Sequence, residues 1–308
     1  MQKTVKRQGF FRKYGEWYLM LVIPVIGSIM FNVYPLIVNA FQSFRNTAGS
    51  WVGLVNYNIL FTDALWPKAI INTLYMGVIG VGLSIPIAFL LAYMLNRVPF
   101  GKNVFKTIYL FPMIVSIVAV SMVFKFIFNA DANSPMNLFL QMIGLPKSDW
   151  FSGVATSRET VMIMTLWKSV GHAVILFFAG LQTMPVELLE AADIDGANEW
   201  KKLWFITVPN MKNTLIFVFI TNSIGALKRF ADVYAIASEY GQPGDTLVTI
   251  MIYIYRKSFS TLFYKDLGVA SAASIILFLF IIVITVIEMR VTGESESLIS
   301  NSRKRGAR

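Results

Sequence analysis

Residues 17–44 and 69–96 contain no charged side chain at all. Each run exceeds the roughly 20 apolar residues with which a helix crosses the hydrocarbon core of a bilayer. Similar runs lie at 107–124, at 160–181 with Lys168 inside it, at 213–237 with Lys228, Arg229 and Asp232 inside it, and at 267–287. Six spans and an all-α polytopic membrane fold are therefore expected. Composition leaves little else open: 56% of the 308 residues are hydrophobic and 14% charged, against roughly 25% charged in soluble domains. A mean hydropathy of +0.61 excludes disorder and requires lipid to replace water over much of the surface.

The charges that remain are distributed by topology. Lys3, Lys6, Arg7, Arg12 and Lys13 precede the first run, which is too long for a secretory signal and lacks a small-residue cleavage site, so a retained helix is expected. Basic residues stay on the cytoplasmic side during insertion. The loop with Arg97, Lys102 and Lys106 is basic two crossings later, and so is the tail with Arg303, Lys304, Arg305 and Arg308 after six. Both termini are thus expected in the cytoplasm. The expected division is an N-terminal segment at 1–16, a transmembrane domain at 17–290 and a tail at 291–308, with outward loops near 42–68, 129–158 and 239–266.

Several chemistries are missing. Gly101-Lys102-Asn103 lacks the upstream glycine and the hydroxyl of a phosphate-binding loop, so no ATP site is expected on this chain. There is neither a Gly-x-Ser-x-Gly elbow nor a His-Glu-x-x-His helix. With no cysteine and a single histidine, His172, thiolate and imidazole-cluster metal sites are out of reach. No catalytic and no metal-binding residues are expected.

One segment breaks the positive-inside pattern. Between the fourth and fifth spans, residues 185–197 carry four carboxylates, Glu187, Glu190, Asp193 and Asp195, where basic residues belong. Pro185 suits a first helical turn, the acids suit its N-terminal half, and Gly196 suits the left-handed residue that stops it. Trp200, Leu203, Trp204 and Ile206 then recur at helical spacing up to Pro209. An interfacial hairpin on anionic headgroups would be costly for so many carboxylates. A knob projecting into a cytoplasmic partner is expected instead, with Gly196 allowing close backbone approach.

Glu190-Ala191-Ala192, Asp195-Gly196-Ala197 and Ile206-Thr207-Val208-Pro209 resemble the EAA loop, here 185–209, of permease subunits in binding-protein-dependent ABC importers. The resemblance extends to Tyr34-Pro35-Leu36, the segment from Trp51 to Tyr57, Asn72-Thr73, Leu110-Phe111-Pro112, Trp167 to Gly171 and Ala179 to Gln182. It is similar to the first permease of carbohydrate importers of the maltose and glycerol-3-phosphate type. The resemblance implies a bacterial inner-membrane heterodimer with a second six-helix permease, two ATPase subunits that hold ATP and Mg, and an extracellular solute-binding protein. It also implies that Glu190, Ala191, Ala192, Asp195, Gly196 and Ala197 couple to the ATPase. The family's outer Thr-Gly-Gly-Pro turn reads Tyr240-Gly241-Gln242-Pro243 here.

Ionisable residues inside spans face a wet cavity, a partner, or a snorkelling path to phosphates, because facing lipid costs on the order of 3 kcal/mol. For Lys168, Lys228 and Arg229 these placements stay open. By resemblance, Trp167, Ser169, His172, Asn222, Gly225, Ala226 and Arg229 line the sugar cavity, with Lys168 beside them on helical spacing. An aromatic face and an amide suit sugar rings and hydroxyls; Arg229 with Lys168 would favour an acidic sugar. Pro86 and Pro112 are expected to kink their helices, and the small residues from Gly268 to Ser274 to allow close packing. An ion-coupled secondary transporter is the alternative, but no internal repeat is visible and Asp232 is the one acid in the spans. A membrane enzyme lacks a constellation. Nucleic acid is not expected as a partner, because the basic residues are not gathered on one face.

Overall fold

The computed structural model describes residues 10–291; most of the two expected terminal segments, 1–16 and 291–308, lies outside them. In chain order, α1 (Phe10–Ser28) runs through a π-helical turn (Ile29–Val33) into α2 (Tyr34–Gln42). Then come α3 (Val55–Thr62), α4 (Leu65–Arg97), α5 (Lys102–Ile114), α6 (Ile117–Ile127), α7 (Pro135–Met142) and α8 (Ser157–Gln182). A hairpin follows, made of α9 (Glu187–Ile194), α10 (Glu199–Lys202), a π turn (Leu203–Thr207) and α11 (Val208–Asn210). The chain closes with α12 (Lys212–Leu227), α13 (Ala231–Ala237), α14 (Ile250–Phe259) and α15 (Leu267–Val291). Among the described residues the β pairing is a single isolated bridge, Arg45 with Trp51.

Among the described residues, five helical stretches are long and apolar enough to cross a membrane: Tyr18–Gln42, Leu65–Arg97, Ser157–Gln182, Lys212–Tyr240 and Leu267–Val291. The third expected span is not one straight helix. It breaks by 93° between α5 and α6, where Val115 and Ser116 adopt extended backbone, and it completes six spans only if the bent pair is counted as one. Pro112 precedes that break by three residues, whereas α4 continues unbroken through Pro86. Both π turns end two residues before a proline, Pro35 and Pro209. Proline cannot donate to the carbonyl four residues back, and the register widens so that Tyr34 N–H reaches Ile29 O and Val208 N–H reaches Leu203 O.

No residue of 18–42 is buried, and Leu19, Ile23 and Phe31 are each about 70% exposed. In water such a surface would aggregate; in a bilayer it is solvated. Two cores hold the remaining helices together. The first, around Leu60, Trp66, Met76, Met164, Leu247, Ile250 and Tyr253, joins α3, α4, α8 and α14. The second, around Phe89, Phe177, Phe178, Leu181, Leu203 and Met211, joins α4 and α8 to the hairpin. We call these the loop end and the hairpin end. Between them, residues 80–84 of α4 and 165–169 of α8 belong to neither core.

Helix α14 lies where an outward loop at 239–266 is expected. Its apolar residues Ile250, Ile252 and Tyr253 are buried, as is Arg256. The helix is short and carries Arg256 and Lys257, so its sequence does not stand out from the surrounding turn residues.

Candidate functional site

The gap between the cores is a cavity of about 210 Å³, lined by Gly80, Val81 and Ser84 from α4, by Thr165, Leu166 and Ser169 from α8, and by Asn222, Gly225 and Ala226 from α12. Arg229, in the break between α12 and α13, and Asp232, in the first turn of α13, close its loop end. They form an ion pair, Nη1 to Oδ2 3.1 Å, with side chains 8% and 13% exposed. The Thr165 hydroxyl donates to the same Asp232 oxygen at 2.8 Å and accepts from Arg229 Nη1 at 3.3 Å. The guanidinium is engaged through Nη1 by a carboxylate three residues on and by a bridging hydroxyl. Arg229 therefore borders the cavity as one half of an ion pair, not as an unpaired cation. A second cavity of about 350 Å³ lies across Val81 and Ala226, between α4, α12 and α15, and its walls are mostly apolar.

Five of the eight residues expected at the cavity line it: Ser169, Asn222, Gly225, Ala226 and Arg229. Three do not. Trp167 is 43% exposed and packs its ring against Phe124 at 5.6 Å. His172 is exposed further along α8. Lys168 reaches the break between α5 and α6, where its ammonium donates to the carbonyls of Val115 (2.7 Å), Met113 (3.2 Å) and Pro112 (3.3 Å). Those carbonyls lost their helical donors at the bend, and Lys168 replaces them. Thr165, Asp232, Gly80 and Ser84 were not among the expected lining residues. The opposite charges of Arg229 and Asp232, three residues apart within an apolar run, were the available signal for the pair.

The loop end is tied across the bundle by side chains that cap backbone. Asn72 Nδ2 donates to the carbonyls of Asp245 (2.8 Å) and Val248 (3.0 Å), and Thr73 Oγ1 accepts from Ile250 N–H at 2.9 Å. Thr249 Oγ1 donates to Arg229 O at 3.0 Å, which fixes the break beside the cavity. Arg256 donates to the carbonyls of Glu239 and Tyr240 and lies 3.5 Å from Asp245. Burial pulls its guanidinium below the usual arginine range. Asp63 accepts from Tyr253 OH at 2.9 Å and pairs with Lys257 at 3.0 Å. Burial pushes its carboxyl up, but the Leu65 N–H, Lys257 and Tyr253 together hold it below the ordinary value. Burial and Asp63 push the Tyr253 hydroxyl well above its ordinary range.

At the hairpin end, α9 stops at Gly196, whose φ of +71° is the left-handed conformation that favours glycine. A β-carbon there would meet nothing within 4 Å of this chain, so within the chain the backbone conformation, not crowding, requires the glycine. Asn198 Oδ1 accepts from Lys201 N–H at 2.9 Å and caps α10. Lys202 is buried and pairs with Asp193 and with Glu199, the latter at 3.1 Å, so the two halves are clasped. Glu199 also pairs with Arg97 and accepts from Tyr93 OH at 3.3 Å, which links the hairpin to the end of α4. Glu190, Ala191, Asp195 and Ile194 are left exposed, Ile194 at 88%, while Ala192 is buried and Ala197 half-buried. Apolar side chains among carboxylates form a projecting surface on a braced base.

Known proteins resemble this chain over nearly its whole length. It is 32% identical over 295 residues to the arabinooligosaccharides transport system permease protein AraP of Bacillus subtilis, covering 93% of this chain and 91% of the relative. It is 30% identical to the multiple sugar-binding transport system permease protein MsmF of Streptococcus mutans, covering 92% and 97%. A solved chain of a bacterial alginate ABC transporter in complex with alginate pentasaccharide-bound periplasmic protein superposes with a TM-score of 0.78 at 25% identity, covering 92% and 96%. Residues 84–292, which hold most of the cavity and the whole hairpin, match the binding-protein-dependent transport system inner membrane component family, and the chain belongs to that family.

Proposed function

We propose that this chain is one half of the translocation path of an ATP-driven sugar importer, and that its solute is a neutral oligosaccharide. The observation that carries the reading is the cavity midway along α4, α8 and α12, where Ser169 and Asn222 offer hydroxyl and amide groups to a polar solute. Its relatives named for arabinooligosaccharides and for multiple sugars support a saccharide. Asp232 balances the charge of Arg229, and the carbonyls at the α5–α6 bend hold Lys168 away from the cavity, which supports a neutral solute over an acidic one.

In this reading the hairpin end is cytoplasmic, beside the basic loop with Arg97, Lys102 and Lys106. Two ATPase subunits carrying ATP and Mg grip it, a second permease completes the cavity, and an extracellular binding protein delivers the sugar at the loop end. Closure of the ATPase pair moves α9; the Lys202 clasp and the Glu199–Arg97 contact pass the movement to α4 and α12, which line the cavity. The test is uptake by the complete importer in proteoliposomes with its binding protein, comparing arabino-oligosaccharides with uronate oligosaccharides. ATP-dependent import of the neutral series is expected; preference for the uronates would overturn the neutral assignment. Asp232 is the carboxylate that an ion-coupled carrier would use, so uptake driven by a proton gradient without ATP would favour that mechanism instead.

A further inference from the structure

The hairpin is divided by charge. Glu187, Glu190, Asp193 and Asp195 all precede Gly196, whereas beyond it Lys201, Lys202 and Lys212 outnumber Glu199. Glu199 is itself paired within the chain, with Arg97 and Lys202. In this second half Lys202, Leu203 and Thr207 are buried, while Lys201 and Lys212 are exposed. So are three aromatic side chains: Trp200 at 67%, Trp204 at 59% and Phe205 at 80%. Trp200 and Trp204 are four residues apart, about one helical turn, and project together.

Two ties hold this segment at the depth of a membrane surface. At its start, Glu199 pairs with Arg97 and accepts from Tyr93 OH at 3.3 Å, and Arg97 is the last residue of the span Leu65–Arg97. At its end, Lys212 opens the span Lys212–Tyr240, seven residues past Phe205, on the order of 10 Å of helix. Phe100, 85% exposed, lies in the short turn between α4 and α5 and adds an aromatic ring close to Arg97. Indole and phenyl rings with ammonium groups among them, held where two spans end, match the headgroup zone of a bilayer: the rings settle beneath the phosphates and the lysines pair with them. In water the same rings would be an uncovered apolar patch. The carboxylates that anionic headgroups would repel belong to the other half. We infer that segment 199–212 lies on the membrane and binds anionic phospholipid headgroups through Lys201 and Lys212, so that α9 alone projects to the partner. The inference rests on the orientation proposed above for the leaflet it names, the cytoplasmic one.

The chain has no cysteine, so single sites can be labelled with bimane in the complete importer, with cysteine-free partner subunits, in nanodiscs. Phe205→Cys and Ile194→Cys are compared, using phospholipid with a headgroup nitroxide and aqueous iodide as quenchers. The lipid nitroxide should quench the label at 205 at least about threefold more than the label at 194, and iodide should barely reach 205. Iodide quenching at 205 as strong as that of free dye would overturn the inference by placing the ring in water. Shielding from both quenchers would also overturn it, because the surface would then be covered by a protein subunit. In mixed nanodiscs, nitroxide on phosphatidylglycerol should quench the label at 205 about twofold more than nitroxide on phosphatidylcholine, and Lys201→Gln with Lys212→Gln should abolish that difference. Equal quenching by both lipids before those substitutions would overturn the anionic assignment. Reaction of Ile194→Cys with an impermeant maleimide from outside intact cells would overturn the proposed orientation, and with it the leaflet, independently of the quenching at 205.

Discussion

Three glycines show how differently one residue type is used along this bundle. At Gly171 an added β-carbon would fall onto the carbonyl of Tyr109, and at Gly268 onto the carbonyl of Arg45. Backbone cannot yield as a flexible side chain can. Gly171→Ala is therefore expected at or above the upper end of the ~1–3 kcal/mol typical of overpacking, read as a lower unfolding temperature in detergent. Gly225 is different: it lies in α12 and lines the cavity between the cores, and a β-carbon added there would meet nothing within 4 Å. Gly225→Ala should stabilise the helix by roughly 0.5–1 kcal/mol and yet lower uptake by narrowing the cavity. A variant at Gly225 that is more stable and transports normally would remove that residue from the path.

Among the elements, the bent α5–α6 pair depends on a side chain that the sequence places elsewhere. Lys168→Met would leave the carbonyls at the bend without their shared ammonium, at a cost of about 1–3 kcal/mol, while KM for the solute should not change. A raised KM at unaltered stability would return Lys168 to the cavity. The α14 clamp gives a pH dependence. Asp63 titrates below its ordinary value of 3.8 when folded, so its contribution is present above that value and is lost as pH falls through the lower folded value. Acid unfolding should become shallower in Asp63→Asn, checked by urea midpoints at a series of pH values. These elements also mark the reach of the sequence. The uncharged runs at 17–44 and 69–96 give helices α1, α2 and α4 because only a lipid-facing helix tolerates them. The run at 107–124 is equally apolar across its break, since the lysine that permits the bend lies more than 50 residues away. Of the cavity, Ser169, Asn222, Gly225, Ala226 and Arg229 were legible, but the pairing of Arg229 with Asp232 became visible only when both were seen on Thr165.

Across the whole molecule, α4 runs from the hairpin end to the loop end. Arg97 and Tyr93 at one end hold the hairpin through Glu199, Gly80, Val81 and Ser84 line the cavity between the cores, and Asn72 and Thr73 at the other end fix the turn at 245–250. A single unbroken helix of 33 residues is stiff over that distance, so in the proposed mechanism a displacement at the hairpin would be carried to the cavity. The hairpin can be altered without disturbing the spans at Gly196, which is exposed and where an added β-carbon would meet nothing within 4 Å. A β-branched residue at φ +71° costs roughly 1–2 kcal/mol in local backbone, enough to reshape α9 but not to unfold two separate cores. Gly196→Val should therefore insert and assemble normally, keep basal ATP hydrolysis, and lose at least about tenfold in sugar uptake per ATP hydrolysed. Unchanged uptake by that variant would mean that the hairpin is not where the motor takes hold, and the mechanical link through Glu199 and α4 would lose its function.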